Sequence, residues 1–295
     1  MTNSKRAASI GFLHYGDTGN LGDFLCSPRH YFDFESDRTA LIVGGGASNN
    51  FFCGRARKRD ASVRIAWGIG QSWVLGAKPS SLDGLVKATL RWLTYDKAST
   101  RDPALASNRL PLVPCVSVFH PVTELPLGDE TGIFLNSAEK VSGGLDERRE
   151  YALAANSRAF VATNALPAAE FISALTRTRT IITNSYHAAY WGLLSGRDVH
   201  IIGYSSKFTN LAALFGFPES AVIGVSRGDP SGLDRAITEC AEREPLRLAT
   251  PDLTRAQFRK RNLDFARSLA AVGVTATLKS AQSATRDLGL ASAPV

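Results

Sequence analysis

The stretch "IITNSYHAAYWGLLSGRDVHIIGY" (181–204) decides how the rest of the chain is read. It begins as a short apolar strand, turns through Asn184 and Ser185, and opens an apolar helix with His187 at its mouth. A second apolar strand follows over 199–202. Strands alternating with helices argue for parallel sheets with helices on both faces. Open sheets of that kind hold ligands at the carboxyl ends of their strands. His187, one of only five histidines, stands at such an end.

Working outward, strand-like runs bounded by turn residues recur at 10–15, 40–44, 63–70, 92–96, 116–119, 132–136, 158–163, 180–183, 199–204 and 221–225. Helical patterns lie between many of them, at 79–90, 147–156, 167–176, 187–194 and 233–243. "ALIVGGG" (40–46) is apolar throughout, as expected of a strand buried on both faces. The pattern breaks at "FHPVTELPLGDETG" (119–132), which is rich in proline, glycine and acidic residues and reads as an interdomain linker. The expectation is an α/β protein of two Rossmann-like domains, 1–125 and 126–250, with mostly parallel sheets. An amphipathic helix over 251–279 follows, with Phe258, Leu263, Phe265 and Leu269 among arginines and lysines. The tail 280–295 is small, polar and aperiodic, and is expected to be disordered.

Composition narrows the function classes. The chain carries 34 basic and 27 acidic residues, a net +7, which favours phosphorylated or carboxylated ligands or an anionic surface. The basic residues are scattered and form no aromatic-interleaved stripe, so no nucleic-acid partner is expected. Cys26, Cys53, Cys115 and Cys240 lie far apart, with neither disulfide-framework nor metal-site spacing, so no metal is expected. Such cysteine usage fits a reducing compartment. The first apolar run leads straight into a glycine turn, so it reads as a strand and not a signal peptide. No stretch approaches the roughly 18 apolar residues that span a bilayer. A cytoplasmic protein is expected.

Four stretches offer chemistry. "YGDTGNLGDFL" (15–25) feeds a strand into a glycine-rich turn and a helix start near Asp23. Gly19 and Gly22 allow close approaches, and Asn20 and Asp23 suit sugar hydroxyls. The plainer account makes Asp23 an N-cap and Asn20 a turn residue. "IVGGGASNNFF" (42–52) leaves the bare backbone of Gly44, Gly45 and Gly46 at a strand end, where one glycine would serve a simple turn. "GIGQSW" (68–73) repeats the idea more weakly. "ASTRDPALASN" (98–108) sets Arg101 after an apolar run, placed to fork onto a carboxylate or phosphate; otherwise it is a surface arginine, with Asp102 as N-cap before Pro103. Last, His187 is joined by Asn184 and Ser185, and Ser206 and Lys207 follow the next strand end.

In this order the pieces resemble the polysaccharide pyruvyl transferase family: "GDTGNLGD", a strand ending in "GGG", an arginine turn, "NSYHAA" opening a helix, and "GYSSKFTNLAALFG". The resemblance covers about residues 10–270. It implies a GT-B-like fold, two Rossmann-like domains facing across a cleft. It implies phosphoenolpyruvate as donor, with no separate cofactor and no metal. The acceptor it implies is a nucleotide- or lipid-linked glycan of a cell-surface polymer, and the product a pyruvate ketal. Within it, His187 would act as general acid or base, Arg101 and Lys207 would hold the donor, and Asn20, Asp23 and Gly44–Gly46 would line the acceptor side. Two positions depart from the family pattern. Ser185 stands where many members have arginine, and His120-Pro121 where many have Asp-Pro. The alternatives are a GT-B glycosyltransferase using a nucleotide sugar and a non-catalytic saccharide-binding member. The basic helix after residue 250 either packs across both domains, the favoured reading, or makes a peripheral contact with the inner membrane face.

Overall fold

The computed structural model describes residues 9–14, 20–44, 49–73, 90–144, 150 and 159–280. Two parallel sheets organise them. The first has the order β1-β3-β4-β5, from β1 (Ile10–Leu13), β3 (Ala40–Gly44), β4 (Val63–Ile69) and β5 (Lys97–Thr100). The second has the order β10-β9-β8-β6-β7, from β6 (Glu130–Leu135), β7 (Ala159–Thr163), β8 (Thr178–Thr183), β9 (Asp198–Gly203) and β10 (Val222–Gly224). Every ladder in both sheets is parallel. This is a mixed α/β chain with mostly parallel sheets, compatible with a Rossmann-like fold.

The second sheet reverses direction once. The chain lays β7 on one side of β6, then crosses to build β8, β9 and β10 on the other. The carboxyl ends of β6 and β8 therefore flank a topological switch point, where a crevice opens because the connections leave in opposite directions. Helix α5 (Tyr186–Leu194) springs from the end of β8. All nine of its residues are buried, so it is apolar around its whole circumference and sits inside the largest core cluster, with Leu21, Leu25, Val118 and Phe208. Fully burying side chains such as Leu193 and Leu194 contributes about 2 kcal/mol each.

Two expected strands are absent. Trp92 to Thr94 and Val116 to Phe119 lie in 3-10 turns. Pro114 and Pro121 bracket the second, and ring closure at proline removes the donor a ladder needs. The strand following the first is the inconspicuous "KAST" of β5, whose small Ser99 and Thr100 are buried and whose Ser99 hydroxyl accepts the Gly68 N–H at 2.8 Å. Two strands were not foreseen: β2 (Phe32–Ser36) and β11 (Val274–Leu278) form an antiparallel ribbon. The expected helices at 79–90 and 147–156 lie, apart from Leu90 and Glu150, outside the described residues, as does the tail from 281.

The proline-rich stretch after β5 lies between the two sheets in sequence, but it is not a free tether. Buried Arg197 donates to the carbonyls of Leu125 and Pro126 on this stretch, and to those of Leu175 and Thr178 beside the second sheet. The carboxy-terminal helix α8 (Pro251–Ser268) then runs back toward the first sheet. Its Phe258 joins the core around α5, while Phe265, Ala266 and Leu269 pack with Ile42, Ile65 and Trp67. Asn262 accepts the Trp67 indole N–H at 2.8 Å and donates to the Pro114 carbonyl. Arg255 and Arg259 pair with Glu124. The apolar face that a membrane contact would need is thus occupied within the chain. No helix among the described residues is long and apolar enough to cross a membrane.

Candidate functional site

A cavity of about 420 Å³ lies over the carboxyl ends of both sheets. The second sheet supplies Asn136, Ala138 and Lys140 after β6, Asn164 after β7, Ser185 to His187 after β8, Tyr204, Ser205 and Lys207 after β9, and Arg227 after β10. The first supplies Asn20 and Asp23 beyond β1, Gly70, Ser72 and Trp73 beyond β4, and Arg101 beyond β5. Segments that follow the strand ends of both sheets thus bring their side chains to one place.

Four cations line it: Arg101, Lys140, Lys207 and Arg227. Arg101 is buried, with its guanidinium 4.2 Å from the centre of the Tyr186 ring. Its Nε has no hydrogen-bond partner. A Cβ on Gly70 would lie 2.9 Å from that Nε and 3.0 Å from the Asp102 carboxylate, so the glycine makes room for both. Asp102 accepts the Gln71 backbone N–H and a bond from Asn210. Burial nonetheless pushes its pKa up to about 6, with Arg101 opposing. Lys207 donates to the Tyr204 hydroxyl at 2.7 Å. Burial brings its pKa down to about 8; Asp23 opposes the shift, and Arg101 and Arg227 add to it. Ser205, the N-cap of helix α6 (Ser206–Leu214), makes no capping bond, and its buried hydroxyl is also unpartnered. Unpaired buried donors beside cations fit an anionic ligand, which would satisfy them.

His187 is the second residue of α5 and is 6% exposed. Its Nε2 lies 2.7 Å from the Cys26 sulfur, and the Cys115 thiol lies 3.3 Å from that same sulfur. A Cβ on Gly22 would stand 2.2 Å from His187 Nδ1. Gly22 therefore serves the histidine. It is absent from the cavity wall, and its φ is not positive. The helix it belongs to, α1 (Leu21–Leu25), begins earlier than expected. Asn20, not Asp23, is the N-cap, accepting the Asp23 N–H at 3.3 Å and donating to its carboxylate at 3.0 Å.

Of the residues expected from sequence, Asn20, Asp23, Arg101, Ser185, His187 and Lys207 meet in the cavity. Others turn to structural tasks. A Cβ on Gly44 would lie 2.9 Å from Pro28, so this glycine permits a backbone–proline contact. Asn184 accepts the Asn136 N–H and donates to Ser142, bracing the turn after β6. Ser206 exchanges bonds with the backbone of Trp73, its N–H donating to one carbonyl and its hydroxyl accepting one N–H. His120 is buried outside the cavity wall, and its Nδ1 accepts the Val122 N–H. Burial lowers its pKa to about 4, with His30 adding to the shift, so it is a neutral cap. Gly19, Gly45 and Gly46 lie outside the described residues.

Sequence reasoning missed Lys140 and Arg227, although each follows a strand of the second sheet by a few residues, which was the available signal. It also missed the meeting of Cys26, Cys115 and His187, all buried, with ligand atoms within 4.8 Å of one another. The spacing of the cysteines showed no metal site, yet Cys26, which follows α1, and Cys115, which precedes a 3-10 turn, both pack against His187, because distance along the chain says little about distance in space. No model of a known protein family matches the chain, and no curated protein matches it significantly.

Proposed function

We propose that the chain is a pyruvyl transferase that moves the pyruvyl group of phosphoenolpyruvate onto a glycan acceptor as a ketal, releasing phosphate. The observation that carries this reading is the cavity with four cations and two unpartnered donors, Arg101 Nε and Ser205 Oγ. Phosphoenolpyruvate presents a carboxylate and a phosphate on a three-carbon frame, and needs several cations in a small space. The arrangement is read as GT-B-like, with the cavity as the cleft between two domains. The reaction is assigned to the cytoplasm, at the inner membrane face if the acceptor is lipid-linked.

In this reading Arg101 and Lys207 hold the donor while Lys140 and Arg227 neutralise the departing phosphate. His187 delivers a proton to the enol methylene. An acceptor hydroxyl, oriented by Asp23 and Asn20, bonds to the resulting electrophilic carbon and gives up its proton. A second hydroxyl of the same sugar then displaces phosphate from that carbon, closing the ketal, and its proton leaves with the phosphate or to a base. Fixed charges aimed at the phosphate supply the largest share of the acceleration.

A second reading, glycosyl transfer from a nucleotide sugar, has one feature in its favour. Trp73 on the cavity wall offers a face on which a base can stack. Acceptor-dependent phosphate release from phosphoenolpyruvate separates the two. The proposal expects release with a suitable glycan and a fall of about two to four orders of magnitude in His187→Ala. Turnover of a nucleotide sugar, with phosphoenolpyruvate left intact, would overturn it.

A further inference from the structure

We propose that Cys26, Cys115 and His187 form a binding site for a thiophilic divalent cation, with Zn2+ as its probe. The inference stands on these three side chains and does not depend on the pyruvyl-transfer reading.

The donor set is the first argument. Two thiol sulfurs and an imidazole nitrogen are ligands that Zn2+ takes in tetrahedral sites, with a fourth position left for water. Bond lengths of about 2.3 Å to sulfur and about 2.0 Å to nitrogen require ligand atoms roughly 3.5–3.8 Å apart. Here Cys26 Sγ lies 3.3 Å from Cys115 Sγ and 2.7 Å from His187 Nε2, with all three atoms within 4.8 Å of one another. The two short separations are hydrogen-bond lengths. Coordination requires them to widen by about 0.8 Å between sulfur and nitrogen and about 0.5 Å between the sulfurs.

Charge is the second. The trio is buried in the core cluster around α5. Two thiolates and a neutral imidazole around one dication sum to zero, so the loaded site puts no net charge into that core.

The surroundings are the third. Metal ligands are usually oriented by a further layer of hydrogen bonds. The Trp191 indole N–H donates to Ser117 Oγ at 3.0 Å, which directs the serine hydroxyl toward Cys115 Sγ at 3.2 Å. The Tyr190 hydroxyl donates to the Cys115 carbonyl at 2.9 Å. Gly22, which leaves space for the His187 ring, fixes the third ligand. A loaded site would withdraw His187 Nε2 from proton transfer.

The test uses the full chain, reduced and stripped with a chelator. Zn2+ is titrated against a chromophoric chelator, and Co2+ is followed by absorption. The result expected is one equivalent per chain and a thiolate-to-cobalt charge-transfer band. Cys115→Ala should weaken binding by about 100-fold or more, and Ser117→Ala by about 10-fold. The Cys53→Ala/Cys240→Ala variant should keep full stoichiometry. Absence of the cobalt band in wild type would overturn the site, as would a band that persists in Cys115→Ala. Should Cys115→Ala not fold, the wild-type cobalt spectrum and the Ser117→Ala affinity decide. None of these readouts uses phosphoenolpyruvate, so their failure leaves the transferase reading to its own test.

Discussion

Replacing Gly22 with alanine isolates the contact that holds His187 in place. The added Cβ would meet His187 Nδ1 at 2.2 Å, Cγ at 2.5 Å and its Cβ at 2.8 Å, against ordinary contacts of 3.4 Å or more. The ring must therefore move by more than 1 Å, taken as the shortfall from 2.2 to 3.4 Å. It cannot swing freely, because Tyr186 and Trp191 pack against it at ring-centre separations of 5.1 and 5.4 Å. Overpacking of this kind costs about 1–3 kcal/mol. An alanine in a helix otherwise returns up to about 1 kcal/mol relative to glycine. Gly22→Ala should therefore destabilise wild type by about 1 kcal/mol in urea unfolding. In a His187→Ala background the ring contacts are gone and only the Cβ contact at 2.8 Å remains, so the same substitution should be close to neutral. The resulting coupling is about 1 kcal/mol. Equal effects of Gly22→Ala in both backgrounds would refute the packing argument.

Other outcomes follow from the same geometry. Lys207 is charged below about 8 and neutral above it, so affinity for inorganic phosphate should fall as pH rises through that value, and Lys207→Arg should flatten the profile. Because this folded-state value lies below the unfolded one, near 10.4, its charge costs stability, and stability should rise as pH goes from about 8 toward 10. Arg101→Lys should lower phosphoenolpyruvate affinity by about 10- to 100-fold in calorimetry, since it loses the planar fork and the stack on Tyr186. Arg197→Met should cost about 2 kcal/mol or more in urea unfolding. It strands the carbonyls of Leu125 and Pro126, each left unsatisfied at about 1 kcal/mol or more, while those of Leu175 and Thr178 keep backbone N–H partners.

The sheets were legible where strands are buried on both faces. "ALIVG" and "TIIT" are β-branched apolar runs bounded by turn residues, and the turn after the latter put His187 at a strand end. Elements with mixed surroundings were not. "FDFES" of β2 alternates buried and exposed residues, but its partner β11 lies far along the chain, and a ribbon strand has no local signal for its mate. "WLTY" and "VSVF" look like strands because apolar runs are ambiguous in period. Trp92 and Leu93 sit in a half-exposed turn, and Val116 to Phe119 is closed between prolines. In the site, Arg101, Lys207 and His187 were found because each follows a strand. Gly22 was misassigned because a glycine's neighbour in space, here a side chain from α5, is invisible in the sequence. The Cys26 and Cys115 contacts escaped for the same reason.

The central claim is that the cavity over the two sheets holds phosphoenolpyruvate. The direct measurement is a calorimetric titration of phosphoenolpyruvate into the purified chain near pH 7, beside Arg101→Ala and Lys207→Met. The account predicts one saturable site per chain, competed by inorganic phosphate and weakened at least about 10-fold in each variant. No binding of phosphoenolpyruvate, or binding that both variants retain unchanged, would contradict it.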